Sequence, residues 1–171
     1  MASPSSNDSS NSLLTLNFND LPMLKGALGP GVDFQPLFID TENGIWCIRA
    51  IFAAGVVIPA HLHTGPVHAI TLSGRWFYAG HPDQPQTAGS YLYEPATGSP
   101  HQVITPADNV EPTEILFIVF GANVNFDDNG GFLNVMDAGF VKGLAHSLAA
   151  AQGFGTARYI SSPGAAFSDA H

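Results

Sequence analysis

Basic residues are scarce in this chain. Lys25, Arg49, Arg75, Lys142 and Arg158 are its only five, scattered over 171 residues and set against 14 acids, for a formal net charge of −9. They form no electrostatic footprint for nucleic acid or an anionic membrane, so neither is expected as a partner. Charged residues of both signs make up only 11% of the chain, while hydrophobic residues make up 45%. A folded surface with so few charges is expected to be partly covered, as in a homodimer or homotetramer. Cysteine is reduced to Cys47 alone. That excludes an internal disulfide framework and suits a reducing compartment. Cys47 sits in a stretch that alternates like a strand and reads as a structural thiol rather than a nucleophile. No apolar run approaches the roughly 20 residues needed to cross a bilayer. The first residues, Met1-Ala2-Ser3-Pro4-Ser5-Ser6-Asn7-Asp8, have neither the basic start nor the apolar core of a secretion signal. The expected setting is the cytoplasm.

Helical periodicity is nearly missing too. Only Leu144–Gln152 carries it, with Ser147 as candidate N-cap and Gly153 as a stop. Short runs rich in Val, Ile, Phe, Tyr and Trp dominate instead. They occur at 34–40, 45–53, 56–63, 67–72, 75–79, 91–94, 101–105, 114–121 and 132–136. Asn43-Gly44, Gly65-Pro66, Ser73-Gly74 and Asn129-Gly130 punctuate them as turns. This spacing predicts an all-β sandwich or barrel in one domain, residues 13–160. The Ser/Asn-rich head (1–12) and the tail (161–171) are expected to be disordered.

Histidine, by contrast, is concentrated. Five of the seven fall between positions 61 and 101. On a strand, the period of two puts His61 and His63 on one face, where their rings can converge on one metal ion. A neighbouring strand can bring His101 beside them. Left without partners, buried imidazoles would each cost on the order of 1–3 kcal/mol. A metal removes that cost by accepting one nitrogen from each ring.

Two spaced motifs strengthen the reading. Gly55 is followed after five residues by His61-Leu62-His63, with His68 and Gly74 downstream. Gly89, Pro95, Gly98 and His101 form the second set. Together they resemble the two motifs of the cupins. The resemblance implies a double-stranded β-helix, or jelly roll, with one short C-terminal helix and His61, His63 and His101 holding a metal inside. The pattern departs in one respect: where cupins place a glutamate, this chain has His68. A centre of three neutral imidazoles leaves a divalent ion its full charge and favours an anionic, oxygen-rich substrate. The stretches 64–76, 82–95 and 134–139 are similar to the three-histidine cupin dioxygenases that act on 2,4'-dihydroxyacetophenone.

That resemblance implies Fe(II), with Zn or Ni alternatives, and O2-dependent C–C cleavage of an aryl α-hydroxyketone to two carboxylic acids. No separate organic cofactor is implied. Three further residues are candidate catalytic groups. His68 is a fourth ligand or a group that orients substrate. Glu94, just before the third-histidine turn, is a candidate acid or base. Arg75 is placed to pair with Glu94 or to neutralise a bound anion. Among Trp76, Phe77, Tyr78, Tyr91 and Tyr93, any that face the cavity would suit an aryl ketone. The competing readings are a non-redox Zn or Ni isomerase or lyase, a zinc-binding sensor cupin, and a degenerate structural cupin.

Overall fold

The computed structural model describes residues 13–96, 98–162 and 166–167. The expected all-β jelly roll is present: the described residues form thirteen short strands and one α-helix. The strands are β1 (Val32–Asp40), β2 (Ile45–Phe52), β3 (His61–His63), β4 (Val67–Ser73), β5 (Arg75–Tyr78), β6 (Gln86–Thr87) and β7 (Tyr91–Glu94). They continue with β8 (Val103–Ile104), β9 (Thr113–Phe120), β10 (Asn123–Phe126), β11 (Phe132–Met136), β12 (Ile160–Ser161) and β13 (Ala166–Phe167). One sheet runs β13-β12-β1-β2-β9-β4-β7. The others, β11-β10-β3 and β6-β5-β8, are joined edge to edge by isolated pairs between His61 and His101 and between Val57 and Ile104. They act as one second layer facing the first.

Alternation explains the packing. In β2, Trp46, Ile48, Ala50 and Phe52 are buried while their neighbours are half-exposed, and Ile115 and Val119 repeat this in β9. Trp76 is fully enclosed and donates its indole N–H to Thr71 Oγ1 at 2.9 Å. Cys47 lies on the half-exposed outer face of β2, and burial pushes its thiol up to about 12.

The two layers exchange chain at a crossing that determines where the site falls. The β3–β4 link, Thr64-Gly65-Pro66, packs against the β9–β10 link, Gly121-Ala122. Thr64 N donates to Ala122 O at 2.9 Å, and Phe120 N donates to Pro66 O at 3.0 Å. A Cβ on Gly65 would strike the Phe120 carbonyl. Gly65→Ala is therefore expected to cost about 2–3 kcal/mol through overpacking of backbone on backbone, read as a lowered urea midpoint. An unchanged midpoint would show that the crossing yields freely.

Two expectations are corrected. The helix α1 spans Ala138–Ala151, not Leu144–Gln152, and its N-cap is Asp137, whose carboxylate accepts from Phe140 N at 2.7 Å. Gly139 and Gly143 obscure its first turns in the sequence. Its small buried face of Ala138, Val141, Ala145 and Ala149 lies against the sheets. The tail is also not structureless throughout. β12 pairs in parallel with β1, and β13 pairs with β12, so backbone pairing orders segments whose side chains gave little signal. The head, residues 1–12, lies outside the described residues.

Candidate metal centre

Register brings the histidines together. His61 and His63 point into the layer gap from β3, with Leu62 between them facing away. His101 exchanges two 2.9 Å backbone hydrogen bonds with His61, so the two residues sit directly opposite on the same face. Their ring centroids are 4.6 Å apart, and each lies 5.0 Å from the centroid of His63. One nitrogen from each ring falls within 4.8 Å of the others.

The outward nitrogens are all anchored. His61 Nδ1 lies 3.0 Å from Pro59 O, His63 Nδ1 lies 2.8 Å from Asn123 Oδ1, and His101 Nδ1 lies 3.3 Å from Ser99 O. Each partner is an oxygen acceptor, so each Nδ1 carries the proton and each Nε2 turns a lone pair inward. The inner groups are then crowded with acceptors. His101 Nε2 is 3.2 Å from His63 Nε2, and Glu94 Oε2 is 2.9 Å and 3.1 Å from the same two nitrogens. Lone pairs facing one another at these distances repel unless protons or a cation lie among them. The donor set fits a divalent ion, with three imidazoles as ligands and Glu94 in reach as a fourth ligand or as an acceptor beside them.

Glu94 comes from the opposite layer, at the end of β7, where it pairs with Val67. Burial alone would raise its pKa. Contact with the His101 and His63 rings, favourable once a proton or a cation lies between them and the carboxylate, outweighs that and holds the carboxyl below the usual carboxylate range. The Tyr78 hydroxyl is shielded from solvent next to this carboxylate. Among the described residues no group meets it in good hydrogen-bond geometry, so its contact with Glu94 is a loose one. Burial first, then the Glu94 charge, push its phenol well above its ordinary range.

Burial drives His61 down to about 4, partly opposed by the hydrogen bond to Pro59, so the ring stays neutral and ligand-ready at physiological pH. An unfolded imidazole protonates near 6.5. Between those values the unfolded state binds more protons, and stability falls as pH drops. Metal-free protein is expected to lose urea stability from pH 6.5 towards 4, with a shallower slope in His61→Gln. Equal slopes would contradict the assignment.

Two candidate residues lie elsewhere. In β4, Val67, Ala69 and Thr71 face inward, so His68 faces out. Its Nδ1 lies 2.6 Å from the Tyr91 hydroxyl, and its ring meets Tyr93 and Phe120. Val67 occupies the inward position, because three residues separate it from His63 and parity excludes the next. Arg75 pairs with Asp108 at 2.7 Å on the surface, with its side chain 43% exposed, and does not approach Glu94.

Sequence reasoning missed Asn123. Its identity is unremarkable in the sequence, and only the β10–β3 register, which pairs it with His63, reveals its part. Asn123→Leu is expected to weaken divalent metal binding about 10–100-fold while the fold persists. Unchanged affinity in a competition titration would show that His63 needs no anchor.

The inner side of the centre borders an apolar cavity. Phe34, Trp46, Ile48, Phe117 and Leu144 belong to its wall, and His61, His63, Glu94 and Asn123 are its polar groups. A more open cleft, bordered by Tyr78, His81, Tyr93 and Ser99, reaches Glu94 and His101 from outside. Of the aromatic residues expected at the cavity, Trp76 is core and Tyr91 is on the outer surface.

Residues 11–123 match the model of the ChrR cupin-like domain family. The chain belongs to this cupin family. A cupin-fold protein of unknown function from Ralstonia eutropha is 42% identical to it. The alignment covers 94% of this chain and 96% of that one, with a TM-score of 0.83. An RmlC-like cupin from the same organism is 26% identical over 86% of this chain and 94% of its own, with a TM-score of 0.75. An acetylacetone dioxygenase from Acinetobacter johnsonii shares the cupin fold at 19% identity. Here 84% of this chain and 97% of that one are covered, with a TM-score of 0.65. No curated protein matches the chain.

Proposed function

We propose that this cupin is an Fe(II)-dependent dioxygenase. Its substrate would be an aryl α-hydroxyketone such as 2,4'-dihydroxyacetophenone, cleaved between the carbonyl and hydroxylated carbons. With one O2 the products are 4-hydroxybenzoate and formate, which accounts for every atom. One observation carries the reading: three imidazoles converge at one point, and two of them, His61 and His63, join Glu94 and Asn123 as the polar groups of an otherwise apolar cavity. An acetylacetone dioxygenase with the same fold lends support.

Iron held by His61, His63 and His101 would supply Lewis acidity and reactivity towards dioxygen. The chain's own groups do the rest. Pro59, Asn123 and Ser99 hold the three rings in the tautomer that keeps Nε2 free. Glu94, ionised among the ring nitrogens, accepts the proton of the substrate's α-hydroxyl. The apolar wall takes the aryl group and keeps bulk water from the reacting atoms.

The test is oxygen uptake by Fe(II)-loaded protein with 2,4'-dihydroxyacetophenone, beside a Zn-loaded control. Uptake matched by 4-hydroxybenzoate only with iron supports the proposal. Iron bound without uptake overturns this substrate. A second reading, a zinc-binding sensor cupin, is favoured by one observation: Glu94 Oε2 is close enough to two ring nitrogens to close a four-coordinate centre.

A further inference from the structure

Tyr78 carries a hydroxyl that the fold leaves unused. Among the described residues it is the only buried side-chain oxygen or nitrogen without a hydrogen-bond partner. A phenylalanine would fill the same volume without that cost, so packing alone does not account for the oxygen. The ring that bears it is fixed. Tyr78 ends β5 opposite Val103 of β8, which sets it diagonally across from His101. Its ring meets the His101 ring edge-on, with centroids 4.9 Å apart and planes at 72°, and the Trp76 indole at 5.2 Å and 85°. Held between the two, it turns the hydroxyl towards Glu94, whose Oε2 lies 2.9 Å from His101 Nε2. Tyr78, Glu94 and His101 also border the outer cleft together. Burial keeps the phenol protonated, so it offers a proton where Glu94 offers only lone pairs.

We infer that Tyr78 is a ligand-binding residue, whose hydroxyl donates to an oxygen of the molecule held at the histidine centre. Which oxygen that is rests on the proposed α-hydroxyketone reading. On that reading the two side chains divide the substrate between them. Glu94 accepts from the α-hydroxyl, and Tyr78 donates to the carbonyl oxygen, which has lone pairs and no proton. A donor and an acceptor side by side select a ligand with two unlike oxygens. An α-diketone, with no proton to give, sets a carbonyl lone pair against the Glu94 carboxylate and is disfavoured.

Benzohydroxamic acid is the probe, because it carries the same aryl carbonyl and hydroxyl with N–H in place of CH2. Titrated against the Zn-loaded full-length protein, it reports binding without oxygen chemistry. Tyr78→Phe should weaken its binding at least about tenfold. Zinc affinity should be unchanged, and the melting temperature no lower than that of the wild type. Tyr91→Phe, which removes a hydroxyl on the outer surface, should leave probe affinity as it was. Equal affinity in Tyr78→Phe overturns the inference, as does a wild type that keeps its zinc and does not bind the probe. Loss of zinc from Tyr78→Phe also overturns it, because Tyr78 then serves the Glu94 carboxylate and the metal. Tyr78-dependent probe binding in a protein that, loaded with iron, takes up no O2 would leave this inference standing and remove the dioxygenase reading.

Discussion

His63→Ala is expected to lose Fe(II) or Zn(II) by at least about 1,000-fold in affinity, beyond the roughly 10–100-fold that follows loss of a residue behind a ligand. His63 is the most connected member of the centre. Its Nε2 faces both Glu94 and His101, and its Nδ1 is held by Asn123. Removing its ring takes away one ligand and the alignment of a second group. The metal-free variant should unfold close to the wild-type temperature, because the deleted ring is one of several acceptors crowded together. Metal content after dialysis checks the first expectation and a metal-free melt checks the second. Stoichiometric metal in the folded variant would refute the triad.

Glu94→Gln separates the two readings of the centre. If Glu94 is the base of a dioxygenase, the amide cannot take the substrate proton, and turnover should fall about 10²–10⁴-fold. Metal stoichiometry should stay at one, since three imidazoles remain. If Glu94 instead closes a structural zinc site, the variant should lose affinity for Zn(II). The isosteric change keeps the side chain's volume in its buried position, so a stability loss should not confuse the outcome. Metal retention measured beside turnover decides between them, and a variant with full turnover would remove Glu94 from the chemistry.

The strands were legible because most bury one face and so alternate apolar with half-exposed residues. β2 and β9 show this plainly. The histidine set was legible for the same reason: the period of two aligns His61 with His63, and the Pro95 to His101 turn delivers the third ring. Parity also explains the misplacement of His68. Spacing counts residues, but the crossing at Thr64–Pro66 decides which one faces inward, and that is Val67. Arg75 was open to a nearby carboxylate, and Asp108, 33 positions on, is the one the fold supplies. Asn123 and the short strands β6, β10, β12 and β13 are defined by pairing with neighbouring strands of their sheets, which local composition does not encode. α1 begins earlier than its periodicity because two glycines blur its first turns, while its cap at Asp137 is an ordinary N-terminal signal.

The most direct test of the central claim is the fate of the two oxygen atoms. Fe(II)-loaded protein turned over with 2,4'-dihydroxyacetophenone under ¹⁸O2 should place one labelled atom in 4-hydroxybenzoate and one in formate. Products whose new oxygen comes from water, or cleavage that proceeds without O2, would contradict a dioxygenase at the His61–His63–His101 centre.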